Sequence, residues 1–139
     1  MESINVSRKA ISLGGVRCLV LAEAGPLIRT AEDGRALVEQ AMNEDASVVA
    51  VPVERLDPAF FQLRSGIAGE VIQKVLNYKL KFAVLGDVSS YVAAHDALRD
   101  FVIECNRGRD IFFATDESEL AQWLERIDAT ANSSERRSG

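Results

Sequence analysis

The stretch from Leu63 to Ala114, LRSGIAGEVIQKVLNYKLKFAVLGDVSSYVAAHDALRDFVIECNRGRDIFFA, constrains the fold more than any other part of the chain. A Ser-Gly turn opens a helical pattern in which Ala68, Ile72, Val75 and Leu76 share one face, widened by Ile67 and Val71. That pattern runs into the short apolar run Phe82–Leu85, which stops at Gly86-Asp87. A polar loop follows, then a second helical pattern in which Leu98, Phe101, Val102 and Cys105 fall at i, i+3, i+4 and i+7. This one passes through Asn106-Arg107-Gly108-Arg109 into the strand Ile111–Phe113. Helices alternating with short buried strands predict crossover units on a largely parallel sheet.

The N-terminal half extends the same grammar. Ala10–Leu13 and Val16–Ala22 flank Gly14-Gly15, a hairpin signal because both glycines tolerate positive φ. Thr30 with Asp33 reads as a capping box for a helix over Ala31–Asn43, which Gly34 weakens by roughly 1 kcal/mol relative to alanine. Val48–Val51 is apolar at every position, as a strand buried on both faces should be. Asp57-Pro58 starts a turn carrying Phe60 and Phe61, and Ser65 is placed as the N-cap of the helix to Tyr78. Leu120, Trp123, Leu124 and Ile127 give a last amphipathic helix, opened by Asp116 and Glu119 as a second capping box. The expected fold is α/β, in the order ββαβαβαβα. It has an N-terminal β-hairpin, a mixed and mostly parallel sheet of about five strands, and about four helices. The expected domain spans residues 1–128, and the small polar residues 129–139 read as a disordered tail.

Composition narrows the function classes. The chain has 139 residues and a net charge of −5, enough for one domain and poorly suited to a phosphate backbone, so no nucleic-acid partner is expected. No apolar run approaches the roughly 20 residues that span a bilayer, and MESINVSRKAIS lacks the apolar core of a signal peptide. A cytoplasmic protein without membrane contact is therefore expected. Two cysteines, Cys18 and Cys105, lie in apolar segments and read as buried thiols. With a single histidine, His95, and no CxxC, no metal site and no cofactor are expected.

The element order, with the segments Val48–Val51, Ser65-Gly66, Ile67–Tyr78 and Phe82–Gly86, resembles the STAS domains of sulfate transporters and bacterial anti-sigma-factor antagonists. A closer resemblance is to a small bacterial family of domains of unknown function. Its pattern is matched by Phe60-Phe61, Leu63 through Glu70, Gln73-Lys74, Asn77-Tyr78, Gly86-Asp87 and Leu98 through Arg109. The STAS resemblance implies a regulatory module that acts by protein association. In the antagonists a kinase phosphorylates the first serine of a D-S-S-G turn. Here the corresponding residues are Leu63-Arg64-Ser65-Gly66, so Arg64 stands at the phosphoacceptor position and Ser65 matches only the second serine.

The candidate site residues are these. Ser65, Gly66 and Gly69 open a helix whose free N–H groups could face an anion or a partner, or could serve packing alone. Asp87 ends a predicted parallel strand, where open sheets bind ligands, though a turn-forming Asp is the commoner explanation. Arg99, Arg107 and Arg109 form the one local basic cluster, read either as an ion-pair network with Asp100 and Glu104 or as an oxyanion claw. At least one of Phe60 and Phe61 is expected to be exposed or at an interface, which motivates a symmetric dimer. No catalytic set stands out. The leading expectation is a non-enzymatic association module, as a homodimer or with a regulatory protein. The alternative is a small-anion or nucleotide-binding domain using Ser65–Gly69, Asp87, Arg107 and Arg109. A pocket joining Ser65, Asp87 and Arg107 would favour the alternative; an apolar patch at Phe60 and Phe61 would favour association.

Overall fold

The computed structural model describes the backbone of residues 8–138 and the side chains of residues 9–127. Five strands form one sheet: β1 (Arg8–Leu13), β2 (Val16–Leu21), β3 (Val48–Pro52), β4 (Lys81–Leu85) and β5 (Ile111–Ala114). Their spatial order is their chain order. β1 pairs antiparallel with β2 across Gly14-Gly15, both at positive φ, with Leu13 opposite Val16. The other three pairings are parallel. The mixed, mostly parallel sheet is as expected, and β3 and β4 are interior strands with almost every side chain buried.

Strand order dictates where the helices go. Each parallel connection steps the same way along the sheet, and right-handed crossovers then place every connecting helix on one face. Those helices are α1 (Ala31–Asn43), α2 (Ile67–Asn77) and α4 (Asp96–Arg107), with the short α3 (Ser89–Ala94) before α4. They bury Leu37, Val38, Val71, Ile72, Val75 and Leu98 against Leu19, Leu21, Val49, Val51, Phe82, Val84 and Phe113. The alternate residues of the same strands, Cys18, Val20, Val48, Ala50, Ala83, Leu85, Phe112 and Ala114, form a second core. α5 (Glu117–Ser138) covers it with Leu120, Trp123, Leu124 and Ile127. Trp123 is 1% exposed, as its spacing predicts, and lies stacked on Phe112 at 4.8 Å. Alanines at 50, 83 and 114 keep that sheet face shallow enough for the indole layer. α5 continues through Ser138, into the stretch 129–139 read from composition as a tail; side chains beyond Ile127 lie outside the described residues, and that expectation with them.

Several local expectations resolve in detail. Thr30 Oγ1 accepts from Asp33 N at 3.1 Å and Asp33 Oδ2 accepts from Thr30 N at 3.1 Å, which closes the capping box of α1. At α5, Asp116 Oδ1 accepts from Glu119 N, while Glu119 reaches back to Thr115 N at 2.7 Å, one residue earlier than a standard box. Gly34, costly to α1 in isolation, is a contact point. A Cβ there would lie 3.1 Å from Val71 O and 3.2 Å from Lys74 Cβ, so the glycine sets how closely α1 and α2 approach. The described residues hold five α-helices where four were expected. The additional one, α3, forms in the segment read as a polar loop because Asp87 Oδ1 accepts from Ser89 N and Tyr91 stacks on Phe61 at 4.1 Å.

The expectation that Phe60 or Phe61 faces outward is overturned. Phe60 is 1% exposed and Phe61 0%. They occupy a 3-10 turn, Pro58–Phe61, whose first N–H groups are held by Asp57 Oδ1 on Ala59 N. Three residues per turn splay adjacent side chains widely. Phe60 therefore lies against Phe82 in the sheet while Phe61 packs under Tyr91, the two rings edge to face at 5.3 Å.

Candidate functional site

The carboxyl ends of β2 to β5 converge on a cleft of about 700 Å³. Its floor is Val20, Leu21, Pro52, Leu85 and Gly86, the last turn of three strands. Its rim comes from the segments that follow those strands: Glu23 after β2, Glu54 after β3, and Thr115 through Ser118 where β5 turns into α5. Lys9 closes one side from β1. Crevices of this kind, outside the carboxyl ends of parallel strands, are where open α/β sheets bind ligands. The volume lies within the range of small-molecule pockets.

Two features hold the cleft open. Gly86 sits at φ 132°, and a Cβ there would come within 2.8 Å of Val53 Cγ2, so only glycine lets β4 end this close to the segment after β3. Arg55 is the second. It is 5% exposed, yet no carboxylate among the described residues pairs with it. Instead its guanidinium donates to Pro26 O at 2.7 Å, Ala22 O at 3.0 Å and Ala24 O at 3.4 Å. Burial lowers its affinity for the proton, and the three carbonyls offset that cost with charge-assisted bonds. Gly25, at φ 145°, makes room, since a Cβ would stand 2.7 Å from Arg55 Cζ. The strap between β2 and α1 that carries Glu23 is thereby clamped.

The candidates from sequence divide between the two edges of the sheet. Ser65, Gly66 and Gly69 open α2, which follows β3, and Asp87 follows β4, so all four stand at the carboxyl edge with the cleft; none of them lines it. Ser65 is not the N-cap. Gly66, at φ 81°, occupies that position, and Ser65 Oγ stands one residue before it, donating to Ala59 O at 2.7 Å and accepting from Ile67 N at 3.2 Å. Gly66 and Gly69 are exposed, and a Cβ at either would meet nothing within 4 Å. Asp87 is exposed, and its bonds to Ser89 hold its carboxyl below the usual range.

Arg107 and Arg109 stand at the opposite edge, where α4 ends and β5 begins. Lys81 Nζ donates to Arg109 O at 2.6 Å and Phe82 N to Asp110 O, which fixes this turn beside the start of β4. A pocket joining Ser65, Asp87 and Arg107 is therefore not formed. Both arginines are exposed: Arg109 reaches Ile127 O at 3.4 Å, and Arg107 makes no hydrogen bond or ion pair among the described residues. Arg99 lies between Asp96 and Asp100, 3.7 Å from each, in the exposed geometry that contributes little. It is not bridged to Glu104 or to the other two arginines.

Of Lys9, Glu23, Glu54, Asp116 and Glu117, the charged groups of the cleft, only Asp116 was singled out from sequence, and then as a helix cap. They come from four separated segments, and only strand order brings them together. The usable signal is positional: each acidic residue lies one to three residues after an apolar run that ends a strand. Cys18 and Cys105 lie in the two cores, and burial pushes both thiols up to about 11. No group of three or more His, Cys, Asp or Glu side chains suited to a metal ion occurs among the described residues. No helix among them is long and apolar enough to cross a membrane.

No curated protein and no solved structure matches the chain. A family profile does, over residues 13–124, from the last residue of β1 to the third turn of α5, so β2 to β5 and every described residue lining the cleft except Lys9 lie within it. The chain belongs to the DUF4180 family, described as a domain of unknown function.

Proposed function

We propose that this domain is a binding module of STAS-like organisation and that its ligand site is the cleft at the carboxyl edge of the sheet. The carrying observation is the clamp on the strap: a buried guanidinium held, among the described residues, by the carbonyls of Ala22, Ala24 and Pro26, beside a cleft of about 700 Å³. Burying an arginine without a carboxylate is costly unless its donors are satisfied, and here that arrangement serves to fix one wall of a concavity. The role is regulatory and non-catalytic in this reading, and the protein cytoplasmic; the apolar floor and charged rim of the cleft suit binding, and the hydroxyl–carboxylate contact there, Thr115 Oγ1 to Glu119 at 3.2 Å, belongs to the cap of α5. A fragment screen read by amide chemical shifts tests it. Hits should concentrate on residues 20–23, 52–54, 85–86 and 115–118. Hits that gather elsewhere, or none, would remove the reading.

A second reading, association with a regulatory protein or a second copy, is favoured by Gly69. A glycine in the first turn of a helix costs about 1 kcal/mol against alanine. Gly34 explains itself by contact with α2, whereas Gly69 has open space where a side chain would stand. Backbone left bare at that point suits close approach from outside. Sedimentation of the protein at high micromolar concentration, beside Gly69→Arg, tests the self-association arm. A monomer in both samples removes the second copy as the partner.

A further inference from the structure

The lining of the cleft specifies what charge its occupant carries. Among the described residues four carboxylates, Glu23, Glu54, Asp116 and Glu117, face one ammonium, Lys9, for a formal net of −3 around the rim. Lys9 is already engaged, 3.2 Å from Glu117. Among the described residues no arginine lines the cleft, and Arg55 spends its donors on the strap carbonyls. The N-terminus of α5 would ordinarily attract an anion, but Asp116 already sits on it, accepting from Glu119 N, and the carboxylates of Asp116 and Glu117 flank the N–H groups left over. An oxyanion would meet the repulsion of this acidic rim, and among the described residues its one cation, Lys9, is already paired. Glu23 and Glu54, by contrast, make no hydrogen bond or ion pair among the described residues; Glu23 stands on the clamped strap and Glu54 on the segment after β3, both lining the cleft. Beneath them the floor is aliphatic: Val20, Leu21, Pro52 and Leu85.

We infer that the cleft takes a small organic cation, an aliphatic amine or polyamine, with its methylene body on the Val20–Pro52–Leu85 floor and an ammonium between Glu23 and Glu54. The inference rests on the cleft being a ligand site, and it replaces the anionic ligand expected from the arginines, which stand at the other edge of the sheet. Arg55 is a positioning residue here: it fixes the strap bearing Glu23 and touches no ligand.

The test is a titration of the full chain with spermidine, and in parallel with inorganic phosphate, followed by amide chemical shifts. Spermidine should perturb residues 20–23, 52–54, 85–86 and 115–118. Its dissociation constant should rise at least tenfold in Glu23→Gln/Glu54→Gln, whose exposed, unpaired positions leave the melting temperature in place. Arg107→Gln/Arg109→Gln should bind spermidine as the natural chain does. If phosphate moves those amides and spermidine does not, the cleft stands as a ligand site and the cation assignment is wrong. If neither probe moves them, both are wrong. Spermidine shifts that spread over other acidic faces, or that survive the double glutamine variant, would likewise overturn the cation assignment, because the attraction would then be the general one of an acidic protein.

Discussion

Asn106 holds Phe113 by both of its backbone polar groups: Oδ1 accepts from Phe113 N at 2.9 Å, and Nδ2 donates to Phe113 O at 3.5 Å. β5 is an edge strand, and Phe113 is the residue whose N–H and C=O point away from β4. A side-chain amide from α4 thus takes the place a neighbouring strand would occupy, which blunts an edge otherwise open to pairing with another chain. Asn106→Ala should lower stability by about 1–2 kcal/mol. A urea melt measures the loss. Sedimentation should in addition show concentration-dependent association absent from the natural chain.

Two glycines in helices should respond with opposite signs. Gly34→Ala gains helix propensity but forces a Cβ against the backbone of Val71, so α1 and α2 must separate and the midpoint of a urea melt should fall. Gly69→Ala meets nothing and should raise stability by about 0.5–1 kcal/mol. Equal signs in the two variants would contradict the account of Gly34 as a contact point.

Trp123 carries a buried Nε1–H with no hydrogen-bond partner among the described residues. Trp123→Ala should cost about 3–5 kcal/mol through the cavity beneath α5. Trp123→Phe should cost clearly less, because it retains stacking on Phe112 and removes an orphaned donor whose burial carries a penalty of about 1–3 kcal/mol. Paired denaturant melts compare the two.

The thiols give a pH dependence. Both Cys18 and Cys105 are raised to about 11 from an ordinary value of 9.0, chiefly by burial. A group whose folded value is raised lends stability that is complete below pH 9 and lost as pH rises towards 11. Stability should therefore decline across that window, and less steeply in Cys18→Ala/Cys105→Ala. At pH 8 both thiols should react slowly with iodoacetamide, and unfolding in urea should restore ordinary rates.

Arg107→Gln/Arg109→Gln should leave the folded state nearly untouched, within about 0.5 kcal/mol, since Arg107 has no partner among the described residues and Arg109 only a long bond to Ile127 O. A large loss in a thermal melt would mean that this turn at the amino edge is held by its arginines.

Much of the architecture was legible in the chain because its signals are local. The hairpin follows from two glycines, the interior strands from unbroken apolar runs, and Trp123 from helical spacing. The aromatic pair was not. Two adjacent phenylalanines read as a surface feature until the narrow turn after Asp57 is known to splay them, and until Tyr91, in a stretch that looks like polar loop, is found covering one. Ser65 was legible to within a residue: the hydroxyl does cap, but from outside a glycine. The cleft was the least legible part. Its carboxylates follow separate strands and each alone is an ordinary surface charge. Arg55, the side chain that organises one wall, looks in sequence like any solvated cation.

The sequential strand order also bears on how this domain is assembled in time. β2 to β5 can each dock beside the strand just before it, but every parallel pairing, such as Cys18 with Val48 or Phe82 with Ile111, must first close a whole helix-containing crossover, a condition that slows folding. The sheet face away from α1, α2 and α4 stays bare throughout. Its alanines and valines wait for α5, whose contact with the hairpin, where Gly14 lies against Ala121 and Glu125, joins the two most distant parts of the ordered core. Until that late docking, a half-finished protein would display an apolar sheet face to its surroundings, and this interval is where aggregation or chaperone capture would compete with folding.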